Sequence, residues 1–515
     1  MPSSHPYDRQ AIRSGILHFL SGRVIQGLLS VATVVVLVRA MAVEDYALYI
    51  TCSALAAFLG STSLIGIDRI LTRYVPEARI RATPAQLMSF VRKVAAIRLL
   101  SLVGMFLVLL IFWSHISVRF RISQPALILP ILSYALVHAL LLFHSVLLQS
   151  LMLQRDLRNA AAIAGAVRLT ILLAWVMATT TLKPNHALWI ASASEAIGYV
   201  WMTFAASLHF RRMRAEAVAQ KDASPWPADS RAVARFGAHN YLMGQASFPL
   251  HAHVQQLVAA ALLSPTTVAG FGFFRNLSEQ ARSYLPFQLT RSITEPAITA
   301  HFVRNQDFTM MNAMTTALLK LNVLVIAPIA SWLALAGSPV ISYIADGKYS
   351  EQIWMLSLLL FGQLLATQVS LLVIAVNAMG LSRHLPGATI IAAVFTVLVL
   401  WIHIPTVGVV ALVLSDITFG IITILYVSRA MRLAGYRYNF ACRPLIRMFL
   451  TMAAIVATFW YAISSHWLAP NILSSIATGV AMCGLFWLGC AIHKPFTSVE
   501  RDLLKRVVGR LPIPF

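Results

Sequence analysis

The sequence predicts an all-α polytopic membrane protein of about 14 transmembrane helices, and three observations carry that prediction. Of 515 residues, 59% are hydrophobic and only 11% charged, with a mean hydropathy of +0.75; soluble domains carry about 25% charged residues. Apolar runs long enough to cross a hydrocarbon core of ~30 Å recur along the whole chain. The basic residues between those runs divide unequally between alternate loops.

Backbone polar groups have no water to bind in hydrocarbon, so runs of this kind read as helices. The spans fall near 16–38, 46–67, 94–113, 126–150, 159–180, 187–208, 238–263, 269–293, 316–336, 353–376, 385–402, 407–428, 446–465 and 471–492. With the N-terminus inside, 28 Lys and Arg fall on the cytoplasmic side and five, Arg39, Arg119, Arg121, Lys183 and Lys348, on the outer side. One miscounted early span would erase that split, so it supports an even number of helices and two cytoplasmic termini.

The net charge of +22 does not mark a nucleic-acid binder, because the charges sit between hydrophobic spans with no basic arm, zinc spacing or aromatic platform. Cys52, Cys442, Cys483 and Cys490 show no CxxC spacing and imply neither a disulfide framework nor a metal site. The first apolar run lacks a small-residue cleavage site and reads as a retained span.

A basic linker, 211–237, containing Ser224-Pro225-Trp226-Pro227, separates six helices in 1–210 from six in 238–430. A helix pair, 431–493, and a cytoplasmic tail, 494–515, follow. Tyr46-Ala47-Leu48-Tyr49 at the start of span 2 is echoed by Phe271-Gly272-Phe273-Phe274 near the start of span 8. Repeats of this kind are common in transporters, although aromatic residues also favour membrane interfaces generally. In the tail, Thr497-Ser498-Val499-Glu500 can act as a capping box. Val499, Leu503, Leu504, Val507, Val508 and Leu511 then form an apolar stripe beside Arg501, Lys505, Arg506 and Arg510, which predicts a short helix on the cytoplasmic leaflet.

Three stretches carry a family resemblance: Val38 to Tyr49 after span 1, Gly66-Ile67-Asp68-Arg69 through Arg73-Tyr74-Val75-Pro76-Glu77 after span 2, and Gly337 to Tyr349, ending Asp346-Gly347-Lys348-Tyr349. With the helix count, they resemble the polysaccharide transporters, the O-antigen and exopolysaccharide flippases, of the multidrug/oligosaccharidyl-lipid/polysaccharide (MOP, MATE-like) superfamily. The resemblance covers nearly the whole chain through loose motifs. It implies a V-shaped body of two six-helix lobes plus the C-terminal pair, around a cavity that opens alternately to each side. It also implies a substrate, an undecaprenyl-pyrophosphate-linked oligosaccharide repeat unit carried across the bacterial inner membrane. The partners expected are that polyprenyl-pyrophosphate-linked oligosaccharide, membrane lipids and other polysaccharide assembly proteins, with no nucleic acid.

A charge at mid-span costs ~2.5 to 3.5 kcal/mol on insertion scales, so retained charges face protein or water. Arg23 in span 1, Arg168 in span 5, and Arg275 and Arg282 in span 8 are the cations expected to meet the pyrophosphate, which Arg can bind with two parallel hydrogen bonds. Arg98, Arg291 and Lys320 lie near cytoplasmic helix ends and are expected to snorkel to headgroups. Arg275, Glu279 and Arg282 share one helix face, either as a substrate-facing stripe or as an intrahelical salt-bridge ladder. Glu195, Glu279 and Asp416 lie inside spans and are candidates for a coupling proton or sodium ion; no other cofactor or metal is expected. Glu279 has arginine neighbours, whereas Glu195 and Asp416 have none nearby in sequence. His251 with Gln255 at i+4 is a candidate contact for sugar hydroxyls, and Pro249 and Pro286 are expected to kink spans 7 and 8.

Rival readings stay open. A membrane glycosyltransferase or polymerase would need a catalytic outer face, but every predicted outer loop is short, and the Glu44-Asp45 pair sits in a loop of about seven residues. A cation-coupled drug exporter would place a carboxylate in span 1, which holds Arg23 instead. A peptidoglycan-precursor (lipid II) flippase is separated only poorly. ATP-driven transport lacks its GxxxxGK[ST] loop.

Overall fold

The computed structural model describes residues 9–179, 181–216, 230–246, 248–467 and 471–508, apart from a few side chains within them, among them that of Arg23. All regular structure in these residues is helical, and the chain forms two compact units, Met1–Ala269 and Gly270–Phe515.

The first unit holds α1 (Arg9–Ala40), α2 (Val43–Thr62), α3 (Ile67–Arg81), α4 (Pro84–Ile111), α5 (Trp113–Arg119), α6 (Ile128–Ser150), α7 (Gln154–Thr179), α8 (Pro184–Glu216), α9 (Ser230–Ala246) and α10 (Ala252–Leu262). Helix α11 (Pro265–Ser283) runs across the division. The second unit continues with α12 (Pro286–Asn305), α13 (Phe308–Ala336), α14 (Ser338–Ile344), α15 (Trp354–Ala378), α16 (Leu385–Val407), α17 (Val410–Leu433), α18 (Cys442–Ser464), α19 (Ile472–His493) and α20 (Ser498–Val508).

Among the described residues, nine helices are long and apolar enough to cross a membrane, namely α4, α6, α7, α13, α15, α16, α17, α18 and α19; α2 with α3 makes a tenth if that bent pair is one span. The chain is a multi-pass membrane protein. Its helices follow the predicted order, but spans 7 and 8 are not continuous. Span 7 breaks at a 3-10 turn, Phe248–Leu250, between α9 and α10, and span 8 breaks between α11 and α12. Pro249 and Pro286 supply the cause: a proline lacks the N–H of the helix ladder and clashes with the preceding turn. The polar linker motif Ser224-Pro225-Trp226-Pro227 lies outside the described residues.

Helix α4 begins ten residues before its predicted span, because Thr83 and Gln86 close a reciprocal capping box and Pro84 takes the first helical position. Much of its length is exposed and apolar, including Ile97, Leu100, Val103, Leu107 and Ile111. Glu44 and Asp45 occupy the first turn of α2, where negative charge meets the positive end of the helix dipole, and Asp45 pairs with Lys183 at 3.0 Å.

The Gly66 to Glu77 stretch forms the break after α2 and the helix α3. The two helices bend by 48°; Gly66 sits at φ 71°, and a Cβ there would collide with the Gly237 carbonyl oxygen of α9. Beyond it, Ile67, Leu71, Tyr74, Val75 and Ala78 form a core with Leu87, Phe90 and Val91 of α4, Phe143 and Leu147 of α6, and Phe210 of α8. Arg73 lies 4.6 Å over the Phe236 ring of α9.

Two expected snorkelling residues turn out to be internal. Arg98 is 1% exposed; it donates to Ser63 Oγ at 2.8 Å, to the Gly60 carbonyl at 2.5 Å and to the Ala139 carbonyl at 3.4 Å. The broken end of α2 leaves carbonyls without helical partners, and a guanidinium with five donors satisfies them. Lys320 of α13 is likewise 1% exposed. It binds both Glu500 oxygens, at 2.8 and 2.7 Å, and the Pro495 carbonyl at 2.9 Å. Glu500 also accepts from Thr316 at 2.9 Å and closes the predicted capping box with Thr497. The tail helix α20 is therefore pinned to α13 by a buried ion pair, with Leu503 turned inward and Val499 exposed; the side chains of the stripe beyond Leu503 lie outside the described residues. Arg291, at the third such position, is half-exposed and pairs with Glu295 at 3.0 Å.

Replacing Arg98 by Ala removes three charge-assisted bonds and should lower the unfolding free energy by about 3 kcal/mol, read as a fall in melting temperature in detergent; Arg98→Lys should recover part of it. Glu500→Ala strands the Lys320 ammonium in the core. It should make the 494–508 segment sensitive to protease at concentrations that leave the wild-type tail intact.

Candidate functional site

Intramembrane charge gathers in two places, one in each unit. In the first unit, α2, α6, α7 and α8 bring Tyr49, Tyr134, His138, Arg168 and Glu195 together. Arg168 of α7 donates to the Tyr49 hydroxyl of α2. Tyr134 donates to Glu195 Oε1 at 3.2 Å, and His138 Nδ1 lies 3.0 Å from Glu195 Oε2. Ser133 and Ser192 bond at 2.7 Å between the same two helices, α6 and α8. The buried Nε of Arg168 has no hydrogen-bond partner among the described residues. The carboxylate is thus held by two polar groups, either of which changes its bonding if the carboxylate takes a proton or a cation.

In the second unit, the i, i+4, i+7 face of α11 carries the predicted ladder. Arg275 Nε lies 3.5 Å from Glu279 Oε1, and Arg282 Nη1 lies 3.4 Å from Glu279 Oε2. Arg275 reaches further, to Asp416 Oδ2 of α17 at 2.7 Å. Arg275 is 8% exposed, whereas the Arg282 side chain is 36% exposed. Arg282 is therefore the more accessible cation of the face, and Arg275 the buried one. Asp416, solitary in sequence, has a cationic partner in space.

A neutral polar chain beside this ladder escaped the sequence reading. Gln363 of α15 donates to Ser278 Oγ of α11 at 3.3 Å. Thr367, one turn along α15, donates to the Gln363 carbonyl and accepts from Asn322 of α13 at 2.9 Å. Asn322 Oδ1 in turn accepts from the Phe287 N–H at 3.0 Å, supplying a partner to the first turn of α12. The available signal was the i, i+4 spacing of Gln363 and Thr367 in an otherwise apolar helix.

The remaining sequence candidates separate. Arg23 lies within α1, but its side chain is outside the described residues. His251 is not helical; it precedes α10 as its N-cap residue and is exposed, while Gln255 is fully buried. His251, extended at the N-cap, stands outside the helix, so the two side chains separate although the Gln255 N–H still bonds to the His251 carbonyl at 3.0 Å. The aromatic blocks of the internal echo are core residues, since Tyr46, Tyr49, Phe271, Phe273 and Phe274 are all buried.

The sequence profile of the polysaccharide biosynthesis protein family matches residues 12–294, more than half of the chain. The chain belongs to that family. No curated protein matches it by sequence. Among solved structures, this polysaccharide biosynthesis protein is similar to the lipid II flippase MurJ in an inward closed conformation, with a TM-score of 0.64 and 12% identity over 94% of this chain and 99% of that one. It is also similar to a multidrug resistance MATE family transporter of the MOP superfamily in an inward-facing conformation, with a TM-score of 0.53 and 13% identity over 82% and 98%. A MATE structure in the straight conformation gives 0.50 and 15% over 84% and 98%. At these identities the likeness is one of fold, and it agrees with the MOP resemblance of the loop motifs.

A buried ion pair that loses one partner leaves an uncompensated charge. Arg275→Met and Asp416→Leu should therefore each destabilise the protein by about 3 kcal/mol, and the double variant Arg275→Met/Asp416→Leu should recover most of that loss. Thermal unfolding of the four proteins in one detergent completes the cycle, and additive single effects would show that the two residues do not interact.

Proposed function

We propose that this polysaccharide biosynthesis protein flips an undecaprenyl-pyrophosphate-linked oligosaccharide repeat unit from the cytoplasmic to the periplasmic leaflet of the bacterial inner membrane, supplying O-antigen or exopolysaccharide assembly. Both termini are cytoplasmic, and transport proceeds by alternating access driven by a proton or sodium gradient. The reading is supported by family membership and by a fold shared with a lipid II flippase. The single observation that carries it is Arg275, a buried guanidinium in a membrane protein of this family whose counter-ion comes from another helix.

A guanidinium held by carboxylates can exchange one of those contacts for a bidentate one to a phosphate. Pyrophosphate binding at Arg275, with Arg282 as the accessible first contact, displaces Asp416. The released carboxylate, desolvated and without its cation, then takes up a proton or sodium ion. Glu195, held by Tyr134 and His138 in the first unit, is the second coupling candidate, with Arg168 beside it as a further substrate cation. Glu279 pairs with both arginines and holds the stripe together. No step breaks or forms a covalent bond, so the protein acts as a transporter and not as an enzyme.

Deleting the gene should remove one surface glycan while its lipid-linked repeat unit accumulates on the cytoplasmic side. The wild-type gene should restore that glycan. Arg275→Gln and Arg282→Gln, expressed at the same level, should leave it at least tenfold reduced. Normal surface glycans together with altered dye efflux would sink this reading in favour of a drug exporter.

A further inference from the structure

The cytoplasmic half of the last helix pair carries positive charge that no carboxylate neutralises among the described residues. Between Asp416 and Glu500 the sequence contains Arg429, Arg432, Arg437, Arg443, Arg447 and Lys494 and no acidic residue. Glu500 is itself occupied by Lys320. Among the described residues, no salt bridge reaches Arg443, Arg447, His493 or Lys494.

Three of these groups converge. A cavity of about 30 Å³, room for a few non-hydrogen atoms, lies between the first turns of α18 and the end of α19, and Arg447, His493 and Lys494 line it together with Thr451, Pro444 and Pro495. Two features of the backbone build it. Lys494 adopts φ 44° and ends α19, so that the chain turns and the following Pro495 and Phe496 are buried. Gly489 lets Thr451 of α18 approach α19 so closely that a Cβ there would strike its methyl group. The Pro495 carbonyl also accepts from Lys320, so the cavity wall is anchored to the buried Lys320–Glu500 pair.

Next to this cationic end, both helices expose apolar residues. Ile446 and Leu450 of α18 and Leu488 and Ile492 of α19 are each more than half exposed. An apolar face that ends in a cationic pocket has the two-part chemistry of an anionic phospholipid, with acyl chains along the helices and a phosphate at the cations. A zwitterionic phospholipid would bring its own positive charge and would gain little there.

We propose that Arg447, His493 and Lys494 form a binding site for the phosphate of an anionic phospholipid at the cytoplasmic end of α18 and α19. The site is separate from Arg275 and Asp416 and holds a structural lipid that neutralises this helix pair. The probe is dioleoylphosphatidylglycerol, added to the full chain purified in detergent and followed by native mass spectrometry, with dioleoylphosphatidylcholine and inorganic phosphate as the other arms. The wild type should retain one phosphatidylglycerol that survives collisional activation. R447Q/K494Q should bind it at least tenfold more weakly, and R383Q, which removes a charge of the same unit outside the pocket, should bind it as the wild type does. Equal retention by R447Q/K494Q would overturn the site. Equal retention of phosphatidylcholine would overturn its charge selectivity, and displacement of the lipid by millimolar inorganic phosphate would assign the pocket to a free anion instead.

Discussion

Every charge and every broken backbone bond inside hydrocarbon must find its partner within the protein, because no water is present to supply one. Three internal cations among the described residues show how the structure answers that constraint. Arg98 closes the broken end of α2, Arg275 is neutralised across two helices, and Lys320 holds the tail through Glu500. These groups are not decorations on an apolar scaffold. Removing any one exposes a deficit that the surrounding helices cannot refill.

The same constraint explains where the chain is allowed to break. The interruption after α2 is tolerated because Arg98 and Ser63 take up its loose groups. The start of α12, freed by Pro286, receives the side-chain oxygen of Asn322. Breaks in an α-helix inside a membrane protein are stable only where such substitutes stand ready, and they are also the points at which a helix can change direction during a transport cycle.

Under the proposed function, charge that is paired yet exchangeable suits a protein that moves an anion through oil. An unpaired arginine at mid-span would hold its ligand too tightly and would be costly when empty. A paired one returns to its carboxylate when the ligand leaves. The Arg275–Asp416 contact and the Glu195 cluster are both of this balanced type, and both join helices that come from distant parts of the chain.

The sequence by itself determined the class of the protein, its family and the capping box at Thr497. Each of these is written in local signals: apolar runs of fixed length, the side of the membrane on which Lys and Arg collect, and residue types three positions apart. Local spacing also placed Arg275, Glu279 and Arg282 on one face. Only the tertiary structure decided which partner each charge has. Asp416 read as solitary because its arginine lies 141 residues away, and Lys320 read as a snorkelling residue because Glu500 lies 180 residues further on. His251 and Gln255 looked aligned, but His251 stands outside the helix as the exposed N-cap of α10 while Gln255 is buried within it. Periodicity fixes which side of a helix a residue occupies, but the neighbour facing that side is set by packing, and a sequence window holds no record of it.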